Sequence, residues 1–263
     1  MPIPERQTFA SSTTDLRIQV TDDDSRTFQL TDGRDAYHSG CGALTETRSV
    51  YLSNSGVADR LSRGQETGVL ELGLGTGMAM LVTLEQALIS GTPLTYVALE
   101  SRWLTADLLR EVRPETWLAH RPDLAAAYLQ WRASLPDPIK DGCYRWSVAP
   151  TEATFGLSAS EQLVEVHVGD ACDWKIAPKQ PRFDAIFFDA FAPATSPELW
   201  TPAVFERMFE ATKPGGNLTT YCVNRAVRDI IGSVGFEVQC VPGPKNGKRE
   251  VLIANKPIES SDR

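Results

Sequence analysis

Acidic side chains stand where apolar segments of this chain end or are interrupted. Glu71 lies in the run Val-Leu-Glu-Leu, Glu100 closes Tyr-Val-Ala-Leu-Glu, and Asp170 and Asp189 each follow a further apolar run. In an α/β protein the carboxyl ends of parallel strands meet at one edge of the sheet, where ligands bind. We therefore expect these four acids to line one crevice. Carboxylates there would accept hydrogen bonds from hydroxyl groups and stabilise positive charge.

A glycine turn follows the first of these runs. Its sequence is Gly73-Leu-Gly75-Thr76-Gly77, and it precedes a segment with helical character. Glycine lacks a Cβ atom, so a ligand can lie against the main chain. The spacing differs from the G-x-G-x-x-G of dinucleotide sites, where a helix N-terminus faces a pyrophosphate. The turn therefore suits a cofactor without phosphates.

Together the turn and the acids predict a site for S-adenosyl-L-methionine. Glu100 is placed to accept both ribose hydroxyls, Glu71 to face the methionine ammonium, and Asp170 to accept the adenine amino group. The predicted cofactor-binding residues are Glu71, Gly73, Gly75, Thr76, Gly77, Glu100, Asp170 and Asp189. Two plainer readings stay open: an ordinary tight turn with Glu100 as a solvated strand end, and Asp189 as a cap of the turn that follows it.

Composition narrows the class of protein. The chain has 263 residues, 42% of them apolar, and a formal charge of -8. No run approaches the roughly 20 apolar residues that span a bilayer, and the N-terminus lacks the apolar centre of a signal peptide. We expect a cytoplasmic protein with no membrane partner. The five cysteines are scattered, and His38, His120 and His167 have no second histidine or cysteine at ligand spacing. We therefore expect no metal and no disulfide framework.

Alternating strand and helix patterns predict a doubly wound, mostly parallel α/β sheet, closed by an antiparallel pair near the C-terminus. We divide the chain into a β-rich extension at 1–60, a Rossmann-like domain at 61–256 with a helical insert at about 103–146, and a tail at 257–263. Residues 1–14 are expected to be a loose tail, followed by a hairpin. The closing pair is typical of class I methyltransferases.

Several longer motifs make the chain resemble a known family. They are Glu46-Thr47-Arg48, the glycine turn, Gly142-Cys143-x-Arg145, Gly169-Asp170, Asp189-Ala-Phe-Ala-Pro with a downstream Pro-Glu-Leu-Trp, and Lys248-Arg249-Glu250. From about residue 35 to 255 the chain is similar to the methyltransferase domain of the MnmC family. These bacterial bifunctional enzymes complete 5-methylaminomethyl-2-thiouridine at the tRNA wobble position.

The resemblance implies N-methylation of an aminomethyl group on wobble uridine. Asp189 would orient the amine and take up its proton. Tyr37, Phe191, Glu46 and Thr47 would line the nucleoside pocket, and Lys248 and Arg249 would contact phosphate. No oxidase half follows residue 263, so we expect a stand-alone form whose aminomethyl substrate comes from a separate enzyme. The alternatives are a methyl- or aminopropyl-transferase acting on a small amine and a non-catalytic cofactor-binding module.

Overall fold

The structure is a computed structural model that describes residues 6–148, 162–176 and 182–258. Two sheets organise it: a three-stranded sheet near the N-terminus and an eight-stranded central sheet. No helix among the described residues has the length and apolar character needed to cross a membrane. Of the predicted tail at 257–263, residues 259–263 lie outside the described part.

The N-terminal sheet contains β1 (Thr8–Ala10), β2 (Leu16–Val20) and β3 (Arg26–Leu30). The predicted hairpin is confirmed, with β2 and β3 antiparallel. The prediction of a loose tail over 1–14 is wrong for β1, which pairs with β2 through Phe9 and Ile18. All three residues of β1 are exposed, so the sequence shows no alternation of apolar and polar residues there. The segment is a strand because it pairs with β2. The buried side chains of β2 and β3 join the core of the central domain.

The central sheet has a parallel interior and antiparallel edges. Its strands are β4 (Thr67–Leu72), β5 (Leu94–Glu100), β6 (Gly142–Val148), β7 (Gln162–Val168), β8 (Phe183–Phe188), β9 (Thr212–Thr220), β10 (Glu237–Pro242) and β11 (Glu250–Asn255). The spatial order is β10-β11-β9-β8-β4-β5-β7-β6. From β4 the chain proceeds outward through β5 and β7, then returns to β8 on the other side of β4. A crevice forms at such a reversal, beyond the carboxyl ends of the strands.

Helices cover both faces of this sheet. They are α1 (Ala43–Glu46), α2 (Val57–Ser62), α3 (Met78–Ser90), α4 (Ala106–Glu111), α5 (Asp123–Ala133), α6 (Pro202–Ala211) and α7 (Arg225–Ser233), with a π-helix at Thr47–Ser53 and 3₁₀ turns at Pro114–Trp117 and Pro197–Leu199. One buried cluster contains α3 and the aromatic residues of α5, and a second contains α6 and α7. The α/β class and the antiparallel closing pair of β10 and β11 are confirmed.

The predicted helical insert at 103–146 is wrong at its C-terminal end. Gly142–Val148 forms β6, which runs antiparallel to β7 at the sheet edge. Tyr144 and Trp146 are partly buried against the core, whereas Cys143 and Arg145 face outward. This alternation of period two is a strand pattern. The helices α4 and α5 exist, but they belong to the main core cluster and form no separate lobe.

The Lys-Pro-Gly-Gly segment at 213–216 lies within β9. The pairing of β8 with β9 is irregular there, between Phe183 and Ala185. A Cβ atom at Gly216 would lie 2.8 Å from the carbonyl oxygen of Asp184. Glycine therefore lets the two backbones approach at an irregular point of the ladder.

Candidate active site

A cavity of about 980 Å³ lies at the carboxyl ends of the central strands. All four acids that were predicted to converge line it. The predicted residues found in its wall are Tyr37, Glu46, Glu71, Gly73, Gly75, Glu100, Asp170, Asp189, Phe191 and Lys248. The crevice expected from the strand ends is therefore present, and it extends from the central sheet to the N-terminal extension.

Four predicted site residues lie elsewhere. The Thr47 hydroxyl is buried and donates to Met78 Sδ at 3.4 Å. Thr76 is buried behind the turn, and Gly77 faces Tyr128, whose hydroxyl oxygen would lie 2.9 Å from an added Cβ atom. Arg249 is exposed and directly precedes β11. None of these four residues lines the cavity. Their direct contact with a ligand therefore stays a prediction.

The glycine turn follows β4 with left-handed backbone angles. Gly73 has φ +92° and Gly75 has φ +54°, a region that L-residues with a Cβ atom rarely adopt. An added Cβ atom at Gly73 would lie 2.7 Å from the carbonyl oxygen of Asp189, and one at Gly75 would lie 3.1 Å from the Tyr37 ring. Glycine is therefore needed at position 73 because the end of the neighbouring strand β8 lies so close. The sequence motif alone did not predict this close approach.

We predict that Gly73→Ala destabilises the protein by about 3 kcal/mol, since both strain and a backbone clash act there. Gly64→Ala is the matched control, because Gly64 has φ +71° with nothing within 4 Å of its added Cβ atom. Strain alone should cost it about 1 kcal/mol. Urea unfolding curves measure both costs. Equal costs for the two variants would show that the approach to Asp189 does not constrain the turn.

Glu100 is held by the backbone around it. Its Oε2 accepts from the Gly75 amide at 2.8 Å, and its Oε1 accepts from the Arg102 amide at 2.7 Å. Burial raises the pKa of this carboxyl, and the two amides lower it in opposition. Each carboxylate oxygen keeps acceptor capacity beyond these bonds. Glu100 is thus fixed at the turn with its remaining lone pairs available to a pair of hydroxyl groups.

Glu71 is almost fully buried, at 1% exposed, beneath the cavity. Its Oε2 accepts from the Tyr96 hydroxyl at 2.9 Å. Burial raises its pKa well above the usual value, and the negative charges of Asp189 and Glu100 add to that rise. A cation that binds beside a buried acid stabilises the ionised form of that acid, and the effect is larger where other acids are close. The electrostatics of the cavity floor therefore favour a positively charged ligand.

Asp189 follows the last residue of β8, and its amide donates to the Leu72 carbonyl oxygen at 2.9 Å. This bond fixes its position beside the glycine turn. The Tyr51 hydroxyl, from the π-helix, donates to Asp189 Oδ1. Burial raises the pKa of Asp189 well above its usual value, and the Tyr51 hydrogen bond acts in the opposite direction. A raised pKa makes the ionised form of this carboxyl a stronger base than that of an exposed aspartate.

Tyr51→Phe tests this arrangement through the pH dependence of the reaction. Asp189 acts as a base only when ionised, so the rate falls as pH drops through its pKa. Removing the Tyr51 hydrogen bond removes an effect that lowers this pKa. We therefore expect the acidic limb of kcat/KM against pH to move to higher pH. An acidic limb at the same pH in parent and variant would show that Tyr51 does not affect the pKa of the catalytic base.

Aromatic residues form a further part of the cavity wall. The Tyr37 and Phe191 rings meet edge to face with centroids 5.2 Å apart. Lys248 Nζ lies 3.6 Å from the centroid of the Tyr221 ring and 4.0 Å from Glu46 Oε1. Flat apolar faces beside a cation suit a base or nucleoside.

Sequence reasoning missed Tyr51, Tyr96 and Tyr221, which surround the acids. The Tyr221 hydroxyl donates to the carbonyl oxygen of Ala190 at 2.8 Å and so fixes the segment after Asp189. No spacing rule connects these tyrosines to acids on other elements. The signal that was available is composition: a tyrosine in an otherwise apolar strand, such as Tyr96, needs a partner for its hydroxyl.

The expectation that the histidines stand alone is wrong for His167. Its Nε2 lies 3.7 Å from Cys143 Sγ and 3.7 Å from Glu165 Oε2. The pairing of β6 with β7 places Cys143 opposite His167, which ligand spacing along one segment cannot reveal. This cluster lies outside the cavity wall.

The residues of the cavity fit S-adenosyl-L-methionine. That molecule carries a sulfonium and an ammonium, and the wall offers Glu71, Glu100 and Asp189, whose pKa values burial raises. It also carries a ribose, for which Glu100 has free acceptor capacity. The turn at Gly73 and Gly75 leaves main chain exposed to the cavity. Charge, hydroxyl acceptors and shape are therefore consistent with one ligand.

Comparisons with known proteins agree with this fit. The sequence model of a family described as S-adenosyl-L-methionine-dependent methyltransferase matches residues 138–257. The tRNA 5-methylaminomethyl-2-thiouridine biosynthesis bifunctional protein MnmC of Acidovorax sp. (strain JS42) is 30% identical over 84% of this chain and 32% of that protein. The chain is an MnmC-like, S-adenosyl-L-methionine-dependent methyltransferase.

One further relative supports the same assignment of this MnmC-like domain, and one solved structure supports its fold. MnmC of Pseudomonas aeruginosa (strain UCBPP-PA14) is 32% identical over 83% of the chain and 32% of its own length. The crystal structure of MNMC2 from Aquifex aeolicus matches the fold with a TM-score of 0.69 at 20% identity, covering 95% of this chain and 74% of that one. The chain spans about a third of the length of the curated relatives it matches.

The match to the methyltransferase family does not extend over the whole cavity of the MnmC-like domain. Residues 138–257 include Asp170, Asp189 and Lys248 but exclude the glycine turn, Glu71 and Glu100. Assignment of the turn side of the cavity to the cofactor therefore depends on geometry: the left-handed glycines and the anchored Glu100.

Proposed function

We propose that this MnmC-like methyltransferase converts an aminomethyl group on tRNA wobble uridine to methylaminomethyl. The observation that carries the proposal is the position of Asp189. It lies between the glycine turn, which adjoins it through Gly73, and the aromatic wall, which Phe191 contributes two residues later. We therefore assign a cofactor side and an acceptor side to the two flanks of this residue, which lies in the cavity wall.

The cofactor supplies an electrophilic methyl group on a sulfonium, and the protein positions the acceptor. A neutral amine must approach the methyl carbon to about 3 Å in line with the breaking bond. Methyl transfer from the bound cofactor would form the C–N bond as the C–S bond breaks and would release S-adenosylhomocysteine. The amine proton passes to the Asp189 carboxylate. The raised pKa of Asp189 makes it a stronger base than an exposed aspartate.

The roles of the remaining acids follow from their anchoring. We assign the ribose hydroxyls to Glu100, the methionine ammonium to Glu71 and the adenine amino group to Asp170. Asp170 is exposed and accepts from the Cys172 amide at 2.8 Å, so one of its oxygens is already oriented at the rim. In this assignment the buried Glu71 holds the charged end of the cofactor, and the exposed Asp170 holds the base.

On the acceptor side we assign Tyr37 and Phe191 to the flipped nucleoside and Lys248 to a phosphate or to the uracil edge. The chain has a net charge of -8, yet residues 242–256 contain four basic residues and one acid. A basic segment beside the cavity provides a local surface for a polyanion. Such an enzyme would work in the cytoplasm, and another enzyme would supply the aminomethyl group.

The test is transfer of a labelled methyl group from S-adenosyl-L-methionine to tRNA from cells that lack this protein, followed by nucleoside analysis. We expect label in one nucleoside, a methylaminomethyl uridine. The matched control is tRNA from cells that contain the protein, where the position is already methylated and little label should enter. Transfer to small amines with none to tRNA would reject this acceptor and favour the alternative of a small-amine transferase.

A further inference from the structure

The outward face of the β6–β7 pair carries a group of metal-binding side chains away from the cavity. Cys143, Glu165 and His167 each offer one ligand atom, and these atoms all lie within 4.8 Å of one another. His167 Nε2 is 3.7 Å from both Cys143 Sγ and Glu165 Oε2. Cys143 is exposed, and the other two are partly exposed. Solvent can therefore reach the cluster from the side of Cys143.

We propose that Cys143, Glu165 and His167 bind one Zn²⁺ ion. A thiolate sulfur, an imidazole nitrogen and a carboxylate oxygen are the donors that zinc prefers. Tetrahedral zinc with bonds of about 2.0 to 2.3 Å separates its ligand atoms by roughly 3.3 to 3.7 Å. The two separations at His167 are 3.7 Å, at the upper end of that range, and all three ligand atoms lie within 4.8 Å of one another, so an ion would draw them slightly closer together. The fourth position faces solvent, so a water molecule can complete the set.

Strand register holds the three ligands. Cys143 is directly opposite His167, and Glu165 lies two residues before His167 on the same face of β7. Ligands on paired strands are positioned more firmly than ligands on loops. One feature competes with an ion: Arg145 Nε donates to Glu165 Oε1 at 2.7 Å. The ion pair uses the other carboxylate oxygen, so Arg145 weakens the third ligand without occupying its place.

The site would join an edge strand to the sheet beside the cofactor cavity. Asp141 and Gly169, each two residues from a ligand, line the cavity rim next to Asp170. A bound ion would therefore tie β6 to β7 at the end where we place adenine. Its role is structural, and methyl transfer needs no chemistry from it. The proposal does not depend on the identity of the methyl acceptor.

The test is binding of Zn²⁺ alone to the chelator-stripped, reduced protein, measured by calorimetry and by competition with a chromophoric chelator. We expect one ion per chain with Kd below about 1 μM. Cys143→Ser and His167→Ala should each weaken binding at least tenfold. Cys172→Ser and His120→Ala are matched controls, since neither residue belongs to the cluster, and their affinity should equal that of the parent. Arg145→Gln should bind several-fold more tightly because Glu165 is released.

Two results would overturn the proposal. One is no binding, or equal affinity in the parent and in both ligand variants. The other is displacement of Zn²⁺ by S-adenosylhomocysteine, which would place the ion on the cavity acids. Co²⁺ gives a separate readout: a sulfur-to-metal charge-transfer band that is present in the parent and absent in Cys143→Ser supports the thiolate ligand. Circular dichroism of each variant shows whether the fold is retained.

Discussion

Asp189→Asn is expected to reduce turnover at saturating cofactor about 10³-fold, within the usual contribution of a general base. Asparagine keeps the size of the side chain and can still accept from Tyr51, but it cannot take up the amine proton. Cofactor affinity should stay within about tenfold, which is under about 1.4 kcal/mol. Single-turnover rates and equilibrium binding of S-adenosyl-L-methionine measure the two effects separately.

Asp170→Asn is the matched control for that variant. The chemical change is the same, but Asp170 lies at the exposed rim, where we assign it to adenine. Its variant should bind the cofactor more weakly and turn over at nearly the parent rate once saturated. If Asp189→Asn instead loses affinity and keeps its turnover at saturation, Asp189 belongs to the cofactor alone and the assignment of the base is wrong.

Glu71→Gln is expected to weaken cofactor binding at least tenfold, about 1.4 kcal/mol, and to stabilise the free protein. The first effect follows from loss of a buried negative charge beneath the cation. The second follows from the raised pKa of Glu71. A carboxyl whose pKa is higher in the folded state favours folding at low pH, and that contribution is lost as pH rises toward the folded pKa.

The sign can be checked by thermal unfolding. Near pH 4.5, the usual value for a glutamate, the parent and Glu71→Gln should have similar Tm values. As pH rises above this value, Glu71 of the unfolded parent loses its proton, whereas Glu71 of the folded parent stays protonated because its pKa is raised. This difference lowers the free energy of unfolding of the parent, so the variant should become the more stable of the two. A variant less stable than the parent at pH 8 would contradict the direction of the shift.

Glu85→Gln tests whether the effects expected of Glu71→Gln come from burial of an acid in general or from its position in the cavity. Glu85 is also a buried acid, at 5% exposed, but its Oε1 accepts from the His120 and Arg121 amides at 2.7 and 2.9 Å. It lies on α3 outside the cavity wall. Its variant should lose stability, because two charge-assisted hydrogen bonds weaken, and should bind the cofactor as tightly as the parent.

The strands of the parallel interior were readily predicted. β4 and β8 are buried on both faces, and such strands are near-continuous apolar runs. Their ends then located the acids, because the carboxyl ends of parallel strands must share one edge. The predicted cavity residues Glu71, Glu100, Asp170 and Asp189 are correct in placement for that reason.

What failed depends on contacts between distant segments. The residues of β6 were assigned to a helical insert. Their alternation of exposed and buried positions arises from pairing with β7, which the sequence alone does not show. The glycine motif could not distinguish a ligand from a protein neighbour: Gly77 faces Tyr128, which lies 51 positions later in the numbering. Tyr51 reaches Asp189 across a separation of 138 residues. No local pattern reports such pairings.

The central claim is that the cavity binds S-adenosyl-L-methionine along the glycine turn with its methyl group toward Asp189. A crystal structure of the complex tests it most directly. We predict the ribose hydroxyls on Glu100, the main chain of Gly73 and Gly75 against the cofactor, and the methyl group facing the Asp189 carboxyl and the Phe191 ring. A cofactor bound elsewhere, or one whose methyl group points away from Asp189, would contradict the account.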